Sequence, residues 1–248
     1  MLSLYFKKRL SISKLFKWEP NVDLLVGIFT LLCLWISYYA VENIYKTSLV
    51  ASLLIFIILT NIFINVIFPI WWVVFYRKQP LSDLGITSKL WLVSISLSIA
   101  LAFWRGVNLP HLISGVNWVP HLIVSALIFW EPFFVFGWLQ SRYEKSFGIL
   151  PAIILTASSL VLYHIGSISA SNLVIIFFVN IICAITMAFT RNLLALWPIY
   201  WCIGSSVNSL RSGMHFGWDM VAVYGFALVI QFGYILYAYK KQKLRMAQ

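Results

Sequence analysis

Glu131 is the sole carboxylate in the apolar stretch from Val119 to Leu139, and a titratable group in such a place asks for a chemical role. An ionisable side chain at the centre of a spanning helix costs roughly 2.5 to 3.5 kcal/mol on insertion scales, so it persists where it faces a cavity, a partner or a substrate. His164 lies in a second apolar stretch, and Cys202, Ser205, Ser206 and Asn208 are polar groups of a third. A carboxylate and an imidazole held together can activate water, with Glu131 as general base and His164 as orienting or acid partner in attack on a peptide carbonyl. Plainer roles compete with this one. Arg142 follows Glu131 by eleven residues, close to the same helical face, and could neutralise it, while His164 could bond a neighbouring backbone carbonyl. A metal centre of Glu131, His164 and His121 would need His121 to reach inward from the far interface, so neither metal nor cofactor is expected. A proton or ion pathway would need a chain of titratable groups, which the sequence does not show.

These residues must be positioned by membrane helices. The chain has 248 residues, 62% of them hydrophobic and 10% charged, whereas charged residues make up about 25% of a soluble domain. With a mean hydropathy of +0.91, it reads as a polytopic, all-α membrane bundle. Spans need about 20 apolar residues, and eight are found: Leu24 to Val41, Leu49 to Phe75, Leu90 to Trp104, Val119 to Leu139, Leu150 to Ser167, Leu173 to Phe189, Leu193 to Leu210 and Met220 to Tyr239. The second holds Asn61, Asn65 and Pro69 and is expected to tilt or kink. At about 1.5 Å per residue, Glu131, His164 and Cys202 fall roughly 14 to 21 Å into a core about 30 Å thick. Spans four, five and seven could therefore converge on one polar cavity. Ser205 and Ser206 lie slightly further along, and Asn208 further still.

Charge sets the orientation. Eighteen Lys and Arg stand against seven Asp and Glu, a net +11. In a soluble protein this would raise nucleic acid as a partner; here the basic residues cluster between spans, so anionic membrane lipid and topology account for them and no nucleic acid is expected. With both termini cytoplasmic, fifteen of the eighteen basic residues fall inside, and only Lys46, Arg105 and Arg211 fall outside. Residues 1–20 read as a basic amphipathic segment on the membrane surface without a signal-length apolar run. Residues 21–239 read as one transmembrane domain, and 240–248 as a basic cytoplasmic tail. Tyr143, Glu144 and Lys145 read as a solvated loop cluster. Cys33, Cys183 and Cys202 lie inside apolar segments without metal or disulfide spacing. The run Pro110-His111-Leu112-Ile113 recurs as Pro120-His121-Leu122-Ile123, and both copies read as helix starts with Pro in the first turn.

From Leu81 to Asn208 the chain resembles the CPBP family, also called Abi, which comprises the CAAX prenyl proteases and bacterial relatives linked to bacteriocin processing and self-immunity. The resemblance is carried by Leu81-Ser82-Asp83-Leu84-Gly85-Ile86, by Glu131 with Gly137, Leu139 and Arg142, by Phe147-Gly148 with Pro151 to Ile154 and Leu160 to His164, and by Thr190 to Leu194 with Trp197 and Pro198. It implies a metal-independent, glutamate-type intramembrane endopeptidase acting on a membrane-bound peptide or lipid-modified protein, with Glu131 and His164 activating water. Four positions depart from the family pattern. Pro132 replaces a second Glu and Phe136 the motif Arg. Cys202 stands where a second His is expected and Ser206 where the Asn or Asp follows, and in the family these two stabilise the oxyanion. A thiol is a poor substitute for imidazole, so Ser205, Ser206 or Asn208 would have to take over. The alternative implied by these losses is a non-catalytic relative that binds or assembles a membrane-protein partner or hydrophobic peptide.

Overall fold

The computed structural model describes residues 12–45, 48–107, 109–113, 117–211 and 213–246, and these form an all-helical protein. Five helices are long and apolar enough to cross a membrane: Val22–Ile44, Leu49–Tyr76, Trp118–Phe147, Ala170–Thr190 and Trp218–Met246. Trp91–Gly106 and Ile149–Tyr163 are shorter apolar helices. In chain order the elements are α1 (Val22–Ile44), α2 (Leu49–Tyr76), α3 (Trp91–Gly106) and α4 (Trp118–Leu127). Next, α5 starts at Trp130–Pro132 and ends with Gln140–Phe147. It is followed by α6 (Ile149–Tyr163), α7 (Ala170–Thr190), α8 (Ile199–Arg211) and α9 (Trp218–Met246).

The stretch Trp118–Phe147 is 72% buried against 22–44% for the other four long helices, which makes α5 the axis of the bundle. Phe133, Phe134, Phe136, Trp138 and Leu139 are all buried on it, so apolar side chains all round give a helix enclosed by protein rather than lipid. Close packing is possible because Gly137 faces the backbone of Leu84: a Cβ there would stand 2.6 Å from that carbonyl oxygen.

Several segments differ from their sequence reading for local reasons. The fourth span breaks at Ile128, whose ψ of 83° leaves the helical region, and then restarts and runs on to Phe147. Pro69 does not break α2; π-type stretches at Ser52–Ile67 and Trp71–Tyr76 flank it and absorb its missing N–H. The seventh span is a short turn, Leu193–Ala195, followed by α8 after Pro198. The tail continues as helix to Met246. Of the N-terminal amphipathic segment, residues 1–11 lie outside the described residues. Ile12–Leu15 is helical, and the chain after it is tied to the α5–α6 turn by the Lys17 N–H donating to the Phe147 carbonyl at 3.0 Å and that of Glu19 to Ser146 at 2.8 Å. Gly148 makes the turn possible, with φ +85° and the Leu15 backbone against it.

One end of the bundle carries a belt of ion pairs, some buried and some partly exposed. Asp23 in the first turn of α1 accepts from Trp72 Nε1 at 2.9 Å and from Arg77 Nε at 2.7 Å, and pairs with the fully buried Arg142 at 3.1 Å. Lys145 reaches Asp83 at 2.8 Å, and Glu144 pairs with Arg191. Tyr143, Glu144 and Lys145 are therefore not a solvated loop: they sit on α5, with Tyr143 and Glu144 buried. At the same end the Leu193 N–H donates to the Gly85 carbonyl at 3.0 Å and Asn192 to Lys89 at 2.7 Å, which locks the segment 81–90 against 190–197.

Candidate functional site

Glu131 occupies the first turn of α5 because the helix restarts there. Phe129 and Trp130 turn the chain, and Pro132 is tolerated since an N–H in the first turn has no intrahelical partner. The unpaired N–H groups of a first turn favour a negative charge, and this adds to the pull on the carboxylate. His164 is the C-cap of α6. Its carbonyl accepts from the N–H groups of Ser167 and Ile168 at 3.1 and 3.2 Å, and Gly166, with φ +95°, lets the chain turn back into α7. Helical rise places Glu131 and His164 at the same level, each roughly 22 Å from the α5–α6 turn.

The two side chains meet. His164 Nε2 lies 3.9 Å from Glu131 Oε1, with 14% and 13% of the side chains exposed, so both are largely but not completely enclosed. That separation is longer than a hydrogen bond and allows one water to contact both groups. The Tyr163 hydroxyl donates to Glu131 Oε1 at 2.6 Å, a short bond that fixes the carboxyl group. His164 is held by aromatic contact: the Tyr163 ring stands edge-on at 4.4 Å between centroids and Tyr38 lies at 5.4 Å. Its Nδ1 is buried without a hydrogen-bond partner. The Trp201 indole N–H is likewise buried and unpartnered, and it stands close to the same carboxylate without reaching hydrogen-bond geometry. Tyr38 and Tyr224 face the carboxylate closely enough to interact with it electrostatically.

No hydrogen bond joins the remaining predicted groups to this pair. Cys202 Sγ donates to the Leu122 carbonyl at 3.3 Å, tying α8 to α4. The Ser205 carbonyl accepts from Ser209 Oγ at 2.7 Å. Ser206 is fully buried with its hydroxyl unpartnered, and Asn208 Oδ1 accepts from Arg105. None of these bonds reaches Glu131. Nor does Arg142, which pairs with Asp23, so the neutralising contact that the sequence allowed is not formed. His121 bonds Ser209 Oγ at 2.8 Å and accepts from the Phe216 N–H at 3.3 Å, far from a metal-sharing position. Among the described residues no three His, Cys, Asp or Glu side chains are placed to hold a metal ion. Sequence reasoning missed the aromatic shell. Tyr163, adjacent to His164 at a helix end, carried a usable signal; Tyr38, Trp201 and Tyr224, from three other helices, carried none.

No protein-family model matches the chain, and no curated protein or solved structure is detectably similar to it.

Proposed function

We propose that the chain is a divergent member of the CPBP family and that Glu131 and His164 form a water-activating site for peptide hydrolysis within the membrane. The observation that carries this reading is the 3.9 Å approach of His164 Nε2 to Glu131 Oε1, both largely enclosed by the bundle. In the reaction, Glu131 takes a proton from water as the hydroxyl oxygen bonds to the substrate carbonyl carbon. Collapse of the tetrahedral adduct breaks the C–N bond, and the same proton passes to the leaving amine. The Tyr163 hydroxyl fixes the carboxyl group by donating to Oε1, while His164 orients the water. The substrate class is a membrane-bound peptide or a lipid-modified protein tail.

The reading includes eight crossings with both termini on the cytoplasmic face of the cell membrane. The charge belt of Asp23, Arg77, Arg142, Lys145 and Arg191 supports it, because side chains assigned inside by charge counting are joined at one end.

A second reading is favoured by a different observation. Cys202, which stands where a second His would supply an oxyanion donor, gives its thiol proton to the Leu122 carbonyl, and loss of one such donor costs about 10² to 10³ in rate. The scaffold would then bind or assemble a hydrophobic peptide or membrane protein without cutting it. Purification of wild type and Glu131→Gln in mild detergent, with mass spectrometry of bound and cleaved species, separates the two. A cleaved peptide present only with wild type supports hydrolysis. A stoichiometric partner retained by both proteins supports the scaffold, and cleavage unchanged by Glu131→Gln removes Glu131 from the chemistry.

A further inference from the structure

Arg105 lies at the end of the bundle opposite the charge belt, one residue from the end of α3, and only 9% of it is exposed. Burying a guanidinium in a membrane helix is costly unless something pairs with it. The other buried arginine, Arg142, has Asp23 as its counter-ion. Arg105 has no carboxylate within ion-pair distance among the described residues; its bond goes to the neutral Asn208 amide oxygen, and its Nε is buried without a partner. Asn208 is exposed, and Arg211, also exposed, follows it by three positions on α8, so the two share a helical face. Arg211 too has no ion-pair partner among the described residues. Arg105 donates to the Asn208 amide and Arg211 follows three residues along the same face of α8, a donor-rich set that matches a phosphate or carboxylate.

The surroundings narrow the ligand. On α3, Trp104 is 50% exposed beside Arg105 near the end of the helix. Trp104 also lies under Arg105, 6.0 Å from ring centroid to Cζ. Aromatics at this level with a cation beside them are the usual contacts of a lipid headgroup and its first acyl carbons. We propose that Arg105, Asn208 and Arg211 form an anion site that binds the phosphate of an anionic lipid, with Trp104 at the level of its first acyl carbons. The site is separate from Glu131 and does not depend on the catalytic reading.

The test is native mass spectrometry of the full chain in neutral detergent, titrated with dioleoyl phosphatidylglycerol, dioleoyl phosphatidylcholine or inorganic phosphate. Basic residues at the opposite end also attract anionic lipid, so Lys241→Gln/Lys243→Gln serves as a control. Wild type and this control are expected to hold one phosphatidylglycerol in preference to phosphatidylcholine. Arg105→Gln and Arg211→Gln are each expected to weaken that adduct about fivefold. Arg211 is exposed, so its variant remains informative if Arg105→Gln fails to fold. Equal retention of the two lipids by wild type, or unchanged retention in Arg211→Gln and in a folded Arg105→Gln, overturns the site. Binding of inorganic phosphate that displaces the lipid supports the anion site and overturns its lipid source.

Discussion

Asp23→Ala is expected to be among the most destabilising single changes in the protein. Asp23 is the shared acceptor for Trp72, Arg77 and Arg142, yet the three arms differ in weight. The Arg77 side chain is 36% exposed, so that pair is screened and contributes roughly 0–1 kcal/mol. The bond from the Trp72 indole to a carboxylate contributes roughly 1.5–3 kcal/mol. Arg142 is fully enclosed, and removing its counter-ion strands a buried charge at a cost of about 3–5 kcal/mol. These terms overlap, so about 4 kcal/mol in total is the working figure, and at roughly 2–4 °C per kcal/mol for a chain of this size it lowers Tm by about 8–16 °C. Arg142→Met should cost less, because it leaves Asp23 with Arg77 and Trp72. The double variant Asp23→Ala/Arg142→Met should melt well above Asp23→Ala, since it no longer buries an unpaired guanidinium. Intrinsic tryptophan fluorescence during thermal unfolding in one detergent reads all four proteins. If Asp23→Ala melts within about 2 °C of wild type, or the double variant is no better than Asp23→Ala, the belt does not carry the stability assigned to it.

Other expectations follow from single contacts. Tyr163→Phe keeps a buried ring in place and removes the 2.6 Å bond to Glu131; it should cost about 1.5–3 kcal/mol and slow any processing that Glu131→Gln abolishes, and equal stability would show that the bond is not formed. Gly137→Ala places a Cβ 2.6 Å from the Leu84 carbonyl oxygen, whereas Gly233→Ala meets nothing within 4 Å. The first should therefore cost about 1–3 kcal/mol, and the second should be neutral or stabilising when both are melted side by side. In a background lacking Cys33, Cys183 and Cys202, His215→Cys should react with a membrane-impermeant maleimide on intact cells and Lys241→Cys should not. The reverse pattern would invert the orientation, and labelling of both would break the eight-span topology.

The prolines and the charged residues of α5 illustrate what a one-dimensional pattern conveys and what it withholds. Pro132 announced a disturbance beside Glu131, since a proline inside a helix must leave the carbonyl four residues back unpaired. The chain meets that demand by ending α4 at Leu127 and restarting at Trp130, which puts Glu131 in a first turn rather than mid-helix. Pro69 carries the same signal but is absorbed by wide helical turns on either side. Local sequence does not distinguish these outcomes; the packing of neighbouring helices does. Glu144 and Lys145 read as solvated because charged residues between apolar runs usually are. Their place on a buried helix depends on Arg191 and Asp83, which come from distant parts of the chain.

The sequence by itself determined that this is an all-helical membrane protein, because hydropathy and charge placement are sums over neighbouring residues and need no knowledge of distant ones. It also singled out Glu131 and His164, since an ionisable group in an apolar run stands out whatever surrounds it. Only the tertiary structure decided that these two meet, that Tyr163 holds the carboxylate, and that Arg142 goes to Asp23 instead. It alone sent Cys202 to Leu122 and Asn208 to Arg105. The reason is geometric: a hydrogen bond or ion pair requires atoms within about 3 to 4 Å, and which helices bring them that close is fixed by how a whole bundle packs, not by spacing along any one span.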